Sequence, residues 1–99
     1  MKRPKFTRVD ANQGIIMIQC RALGMIVWDL HNCGGKLPDL LCIWHGRCVP
    51  VEVKPPGKRD QLTQGERDGL AECADRGVAW AVAEDLDDVL RAFGAEWEG

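Results

Sequence analysis

Two carboxylates and one amine stand close together in the sequence: Asp39, Glu52 and Lys54. They border two apolar runs, Leu40–Trp44 and Cys48–Val53, which flank His45-Gly46. Glycine at the second position of a two-residue loop supplies the positive φ of a type I′ hairpin turn. With that loop, Trp44 faces Arg47 and Asp39 lies opposite Glu52. A four-residue loop keeps the same pairing, whereas a three-residue loop slips it by one and sends the two carboxylates to opposite faces. Lys54, two residues beyond Glu52, points to the same face as Glu52. Carboxylates beside apolar strands are costly to bury as isolated charges. A hard cation explains them: Mg²⁺ takes one or two carboxylates and keeps waters and phosphate oxygens as its other ligands. A lysine beside such a site can position a water or neutralise charge developing on phosphorus. The other reading of the same triplet is a surface ion pair on a solvated edge, since short patterns recur by chance.

Pro38-Asp39, twelve residues, then Glu52-Val53-Lys54 resembles the PD-(D/E)XK nuclease motif. The approach Gly34-Gly35-Lys36-Leu37-Pro38-Asp39-Leu40-Leu41 and the helix start at Leu62-Thr63 resemble its VRR-NUC branch. That branch includes small stand-alone phage and bacterial proteins related to Holliday-junction resolvases, and the similarity runs from about Arg8 to Phe93. The resemblance implies a restriction-endonuclease-like core and a metal-dependent DNA endonuclease, selective for branched or junction DNA. It also implies that Asp39 and Glu52 hold Mg²⁺ or Mn²⁺ with the carbonyl of Val53, and that Lys54 orients the attacking water or stabilises the pentacovalent transition state. Cleavage would leave a 5′-phosphate and a 3′-hydroxyl. Such families often carry a metal-binding Glu on the first helix. Gln13 stands there instead, with helix capping as its expected role. They also carry a Gln in the first turn of the helix after the hairpin. Gln64 and Glu66 compete for that place, and Gln64 is assigned because capping accounts for Glu66. A chain this small cannot embrace a branched duplex alone, so a homodimer is expected. The alternative is a nucleic-acid-binding module of the same fold without turnover, which Gln13 and the net charge of −2 both favour.

The charge distribution says more than its sum. Residues 1–59 hold ten Lys or Arg against four Asp or Glu, and residues 60–99 hold three against eleven. The basic half carries the candidate site, as phosphate binding requires. Lys36, Lys58, Arg59 and Arg8 are the expected backbone contacts, and His31 could stand at the mouth of the site. The other reading is a solvated charged surface.

Ninety-nine residues make one expected domain, with a basic arm over 1–8 and an acidic tail over 94–99. No apolar run approaches the roughly 20 residues of a membrane helix. Met1-Lys2-Arg3-Pro4-Lys5 is basic but lacks a following apolar core, so it does not read as a signal peptide. Five scattered cysteines without a CxxC argue against a disulfide framework and point to a reducing cytoplasm. Cys42-x-x-His45-x-x-Cys48 raises zinc, but the hairpin puts the cysteines on strands and the histidine in the turn, far from four convergent ligands.

The positioning elements follow from caps and periodicity. Asp10 with Gln13 reads as a capping box for a first helix, whose inward face is expected at Ile15, Ile18, Ala22 and Leu23, with Gly24 as its stop. Met25–Leu30 reads as a strand. Pro50 should fall at a bulge or an unpaired position of the second hairpin strand. Thr63 with Glu66 is a second capping box, and Leu70, Ala71 and Ala74 its apolar face. Val78–Ala83 reads as a buried strand and Leu86, Val89, Leu90 and Phe93 as the inner face of a last helix. The order is αβββαβα: an α/β domain with a mixed four-stranded sheet flanked by helices.

Overall fold

The turn that sets the register is present: His45 and Gly46 both take positive φ, 52° and 74°. The structure, a computed structural model, describes residues 8–33 and 36–94, the side chains of 8–10 excepted. Most of the basic arm, Gly34, Gly35 and residues 95–99 of the acidic tail therefore lie outside the described residues, as does the side chain of Arg8. Within them the order is α1 (Arg8–Ala22), β1 (Ile26–Asp29), β2 (Leu40–Trp44), β3 (Arg47–Val53), α2 (Gln64–Asp75), β4 (Ala81–Ala83) and α3 (Leu86–Ala92). The four strands form one sheet in the order β1-β2-β3-β4. The first three are antiparallel neighbours, and β4 runs parallel to β3 after the α2 crossover. This is the mixed sheet and element order that the sequence implies.

Pairing runs without slip from Trp44↔Arg47 to Leu40↔Val51. Pro50 sits opposite Leu41 with no bulge. The closing pair of a two-residue hairpin is hydrogen-bonded and pairs alternate from there, so Pro50 falls in a pair that exchanges no hydrogen bonds. Its missing N–H faces away from β2, and β4 pairs with β3 only from Val51 onward.

One sheet face carries the core. Val27, Leu40, Cys42, Val49, Val51 and Val53 point there and meet Ile16 and Cys20 of α1, Val89 of α3 and Phe93 at the C-cap of α3, all nearly or fully buried. The α1 helix differs from the sequence expectation. Its inward residues are Gln13, Ile16 and Cys20, while Ile15, Ile18 and Leu23 are exposed, Ile18 at 70 %. Ile15-Ile16-Met17-Ile18 is a continuous apolar run, so periodicity alone selects no face. The helix also starts at Arg8, placing Asp10 inside its first turn rather than at its cap.

The α2 cap is as expected. Thr63 Oγ1 accepts from the Glu66 backbone N–H at 3.1 Å, and Glu66 Oε1 accepts from the Thr63 N–H at 2.9 Å. Its inner surface is not: Ala71 and Ala74 are exposed, and Gly69 is the buried residue. A Cβ at Gly69 would lie 2.8 Å from the Lys36 carbonyl oxygen and 3.0 Å from the Trp80 ring, so this glycine lets the helix approach closely. A carbonyl in a backbone segment cannot swing aside as a side chain can. Gly69→Ala is therefore expected to lower stability by about 1–3 kcal/mol. Gly14→Ala, in a helix and with nothing within 4 Å of the added methyl, is expected to raise it by about 0.5–1 kcal/mol. Urea midpoints of the two variants against the parent check both signs.

Candidate active site

Glu52 and Lys54 project from the face of β3 opposite the core, and the register places Asp39 across from Glu52. That pair belongs to the set without backbone hydrogen bonds, where facing side chains approach most closely. Asp39 Oδ2 accepts the Val53 N–H at 2.9 Å, which fixes its carboxylate against the end of β3. Leu30 N–H bonds the Asp39 carbonyl at 2.7 Å and anchors the other side. Glu52 is 3 % exposed, and its Oε1 is buried with no hydrogen-bond partner among the described residues. Lys54 Nζ lies 3.0 Å from Glu66 Oε1 and 3.9 Å from Glu52 Oε2.

The residue of α2 that reaches the site is thus Glu66, not Gln64. Gln64 is exposed and donates to Asp68 Oδ1 at 2.9 Å. The capping box explains the difference: it folds the side chain three residues into the helix back over the helix start, where Lys54 stands. Burial pushes the Glu52 carboxyl up to about 9, and the carboxylates of Glu66 and Asp39 push in the same direction. Glu66 goes the other way. Burial raises it, but a hydrogen bond from Glu52, the Thr63 N–H and Lys54 together hold it below the usual range. The two carboxyls are thus pushed in opposite directions, Glu52 up by its burial and Glu66 down by its donors.

A second group gathers at the same end of the sheet. Gln13 is buried and donates to Asp29 Oδ1 at 3.0 Å, so it is no cap. The same oxygen accepts the His31 N–H at 3.1 Å and lies 2.6 Å from His31 Nδ1. Burial raises the Asp29 carboxyl, but its hydrogen bonds from His31 and Gln13 and the charge of His31 outweigh that and hold it below the usual range. A glutamate at position 13 would set a second carboxylate against Asp29, so a neutral amide fits this neighbour. Asn12, beside it on α1, donates to the carbonyls of Lys54 and Glu84 at 2.8 and 3.1 Å and ties the ends of β3 and β4 to the helix. No local pattern in the chain marks Asn12. Asp29 was detectable as a charge ending an apolar strand.

No protein-family model and no curated protein matches the sequence. Among solved structures, a chain described as "VRR_NUC domain" superposes with a TM-score of 0.64 at 25 % identity, over 91 % of this chain and 98 % of that one. The chain is a PD-(D/E)XK-like VRR_NUC domain homologue.

A hard divalent cation fits the residues that this VRR_NUC homologue presents. The Glu52 oxygen that is buried without a partner, beside Asp39, is a donor that such a cation could take. Asp39 would be the second oxygen donor. Among the described residues no group of three or more His, Cys, Asp or Glu is arranged to hold a metal ion, so any cation here would take two carboxylates from the protein and complete its shell with water and phosphate oxygens. Cys42 and Cys48 are on opposite faces of the hairpin, one buried and one exposed, which does not suit zinc. No helix among the described residues is long and apolar enough to cross a membrane.

The expected phosphate contacts divide. Lys36 pairs with Glu72 at 3.0 Å, both well exposed, an interaction weak enough to exchange for a phosphate. Arg59 is committed instead, lying 3.0 Å from Glu84 and 2.9 Å from Asp88, the latter 8 % exposed. Asp88 also accepts from Arg91 and from the Glu84 backbone N–H. Arg59 therefore pins the 55–62 loop to α3. Lys58, next to it, is exposed.

With 4.5 as its ordinary value and about 9 in the fold, Glu52 carries a proton in the folded chain that the unfolded chain has lost across that interval. Its contribution to stability is full below the lower value and lost as pH rises through the upper one. In EDTA, the stability difference between the parent and Glu52→Gln is expected to shift steadily in favour of the variant from pH 5 to pH 9. Urea unfolding at each pH measures it, and a pH-independent difference would refute the assignment.

Proposed function

We propose that this VRR_NUC homologue is a metal-dependent DNA endonuclease that hydrolyses phosphodiester bonds, with branched or junction DNA as its substrate. The observation that carries the reading is the buried, unpartnered Glu52 oxygen beside Asp39 and Lys54, on a nuclease-superfamily fold. Asp39 and Glu52 would hold Mg²⁺ or Mn²⁺ with the Val53 carbonyl. The cation, when bound, supplies a water of lowered pKa and polarises the scissile phosphate. Asp39 stays oriented through its bond to the Val53 N–H, so its other oxygen keeps one direction. To hold a cation Glu52 would be ionised, its proton passing to solvent. Lys54 presents its ammonium toward the phosphate, where it orients the attacking water and offsets the negative charge growing on the phosphoryl oxygens. In-line attack then leaves a 5′-phosphate and a 3′-hydroxyl. The Lys54 ammonium and the two carboxylates are closed off from the core side by β3 itself.

Lys36 and Lys58 are the exposed cations suited to the DNA backbone, with Arg8 as a further contact. Cutting both strands of a junction needs two sites, hence a two-fold homodimer. Exposed apolar side chains, among them Ile18 of α1 and Trp28 of β1, are surface that such pairing would draw on.

End-labelled four-way junction, flap and linear duplex DNA, incubated with Mg²⁺, Mn²⁺ or EDTA, test the reading. Cleavage is expected with either metal and none in EDTA. Asp39→Asn and Lys54→Ala should each lower the rate by about 10²-fold or more. Paired cuts in the junction would support the dimer. Binding without cleavage in all conditions would leave a non-catalytic binding module, the reading to which the Gln13–Asp29 pairing lends weight. Lys58→Ala is expected to weaken DNA binding and flatten its salt dependence by about one unit of slope. Arg59→Ala should instead lower the melting temperature, because it strips a partner from buried Asp88.

A further inference from the structure

One oxygen of Glu66 serves two donors. Oε1 accepts the Thr63 N–H at 2.9 Å and lies 3.0 Å from Lys54 Nζ. A capping carboxylate ordinarily has the backbone alone to satisfy and faces water. Here the side chains of Glu66 and Lys54 are only 17 % and 13 % exposed, and the lysine's other carboxylate, Glu52 Oε2, is farther, at 3.9 Å. A lysine stem has four rotatable bonds and an ammonium that can point anywhere within its reach. A short, half-buried, charge-assisted bond removes most of that freedom. The remainder of α2 offers little comparable help near the site, since its close approach is at Gly69, against Lys36 and Trp80.

We propose that Glu66 is the positioning residue for Lys54: the N-terminal turn of α2 holds the ammonium between Glu66 and Glu52, and so fixes its direction toward the phosphate. The proposal rests on the nuclease reading for its catalytic consequence, but the holding of Lys54 stands on the geometry alone. Capping and positioning are separable because they need different chemistry. Capping needs an acceptor for the Thr63 N–H, which glutamine also supplies. Holding an ammonium by a charge-assisted bond needs a negative charge, which glutamine lacks.

Two substitutions divide the roles. Glu66→Gln keeps the capping acceptor and removes the charge. Thr63→Ala removes the other half of the box and leaves the carboxylate. The ¹H–¹⁵N cross-peak of the Lys54 ammonium, assigned through Lys54→Arg in ¹⁵N-labelled protein at low temperature, reports whether the ammonium is held. It is expected in the parent and in Thr63→Ala, and broadened away in Glu66→Gln. The melting temperature should fall in Thr63→Ala and stay near the parent in Glu66→Gln. On the junction substrate, well below every melting point, kcat should drop about 10–100-fold in Glu66→Gln, with DNA affinity unchanged, and stay within about twofold in Thr63→Ala. An unchanged cross-peak in Glu66→Gln overturns the proposal. So does an unchanged kcat there when the parent cleaves, or an equal loss of kcat in Thr63→Ala. If the parent cleaves nothing, the nuclease reading fails, and the cross-peak alone decides whether Glu66 holds Lys54.

Discussion

The pairing of Asp39 with Glu52 depends on a turn about as short as a hairpin allows. His45 at φ 52° and Gly46 at φ 74° reverse the chain in two residues, and the twist of that turn matches the twist of the strands it joins. From there the ladder runs five pairs to Leu40↔Val51, and the next step brings the two carboxylates face to face. One inserted residue would move every side chain of β3 to the other face. Val51 and Val53 would leave the core while Glu52 and Lys54 entered it. Core and site are thus specified by the same register, so a sequence that protects one protects the other.

Electrostatic tension gives the site its character. Glu52 is buried beside two other carboxylates, with one oxygen unsatisfied, and its carboxyl is driven far up as a result. A fold can carry such a group only where something else holds it in place. Here the strand ladder does, together with the bond from the Val53 N–H to Asp39 and the Glu66–Lys54 pair. The tension is local, and a proton on the carboxyl relieves it.

Around this centre, polar side chains lock the chain ends together. Asn12 bridges the ends of β3 and β4 from α1, and Gln13 steadies Asp29 and, through it, His31. Arg59 binds the loop after β3 to the buried Asp88 of α3. Most of these partners lie far apart in sequence, and together they hold the ends of β1, β3 and β4 and the loop after β3. In a sheet of short strands, the end carrying the site needs this fastening more than the hairpin end does.

The sequence alone determined the hairpin register, the α2 cap and the order of elements. Each rests on local rules: positive φ at Gly46, the reciprocal bonds of Thr63 and Glu66, and stops at Gly24 and Gly77. From the register followed the alignment of Asp39, Glu52 and Lys54. Which face of α1 turns inward was not legible, because Ile15 through Ile18 are all apolar and only the sheet could choose Ile16 over Ile15 and Ile18. The choice of Glu66 over Gln64 was likewise beyond local rules, since it depends on where Lys54 of a distant strand places its charge. The same holds for Gln13, whose partner Asp29 is brought to it by packing, and for Arg59, whose buried partner belongs to α3. Local backbone preferences act over three or four residues and can be read along the chain. The pairing of buried charges depends on distances across the fold, and only the tertiary structure decides it.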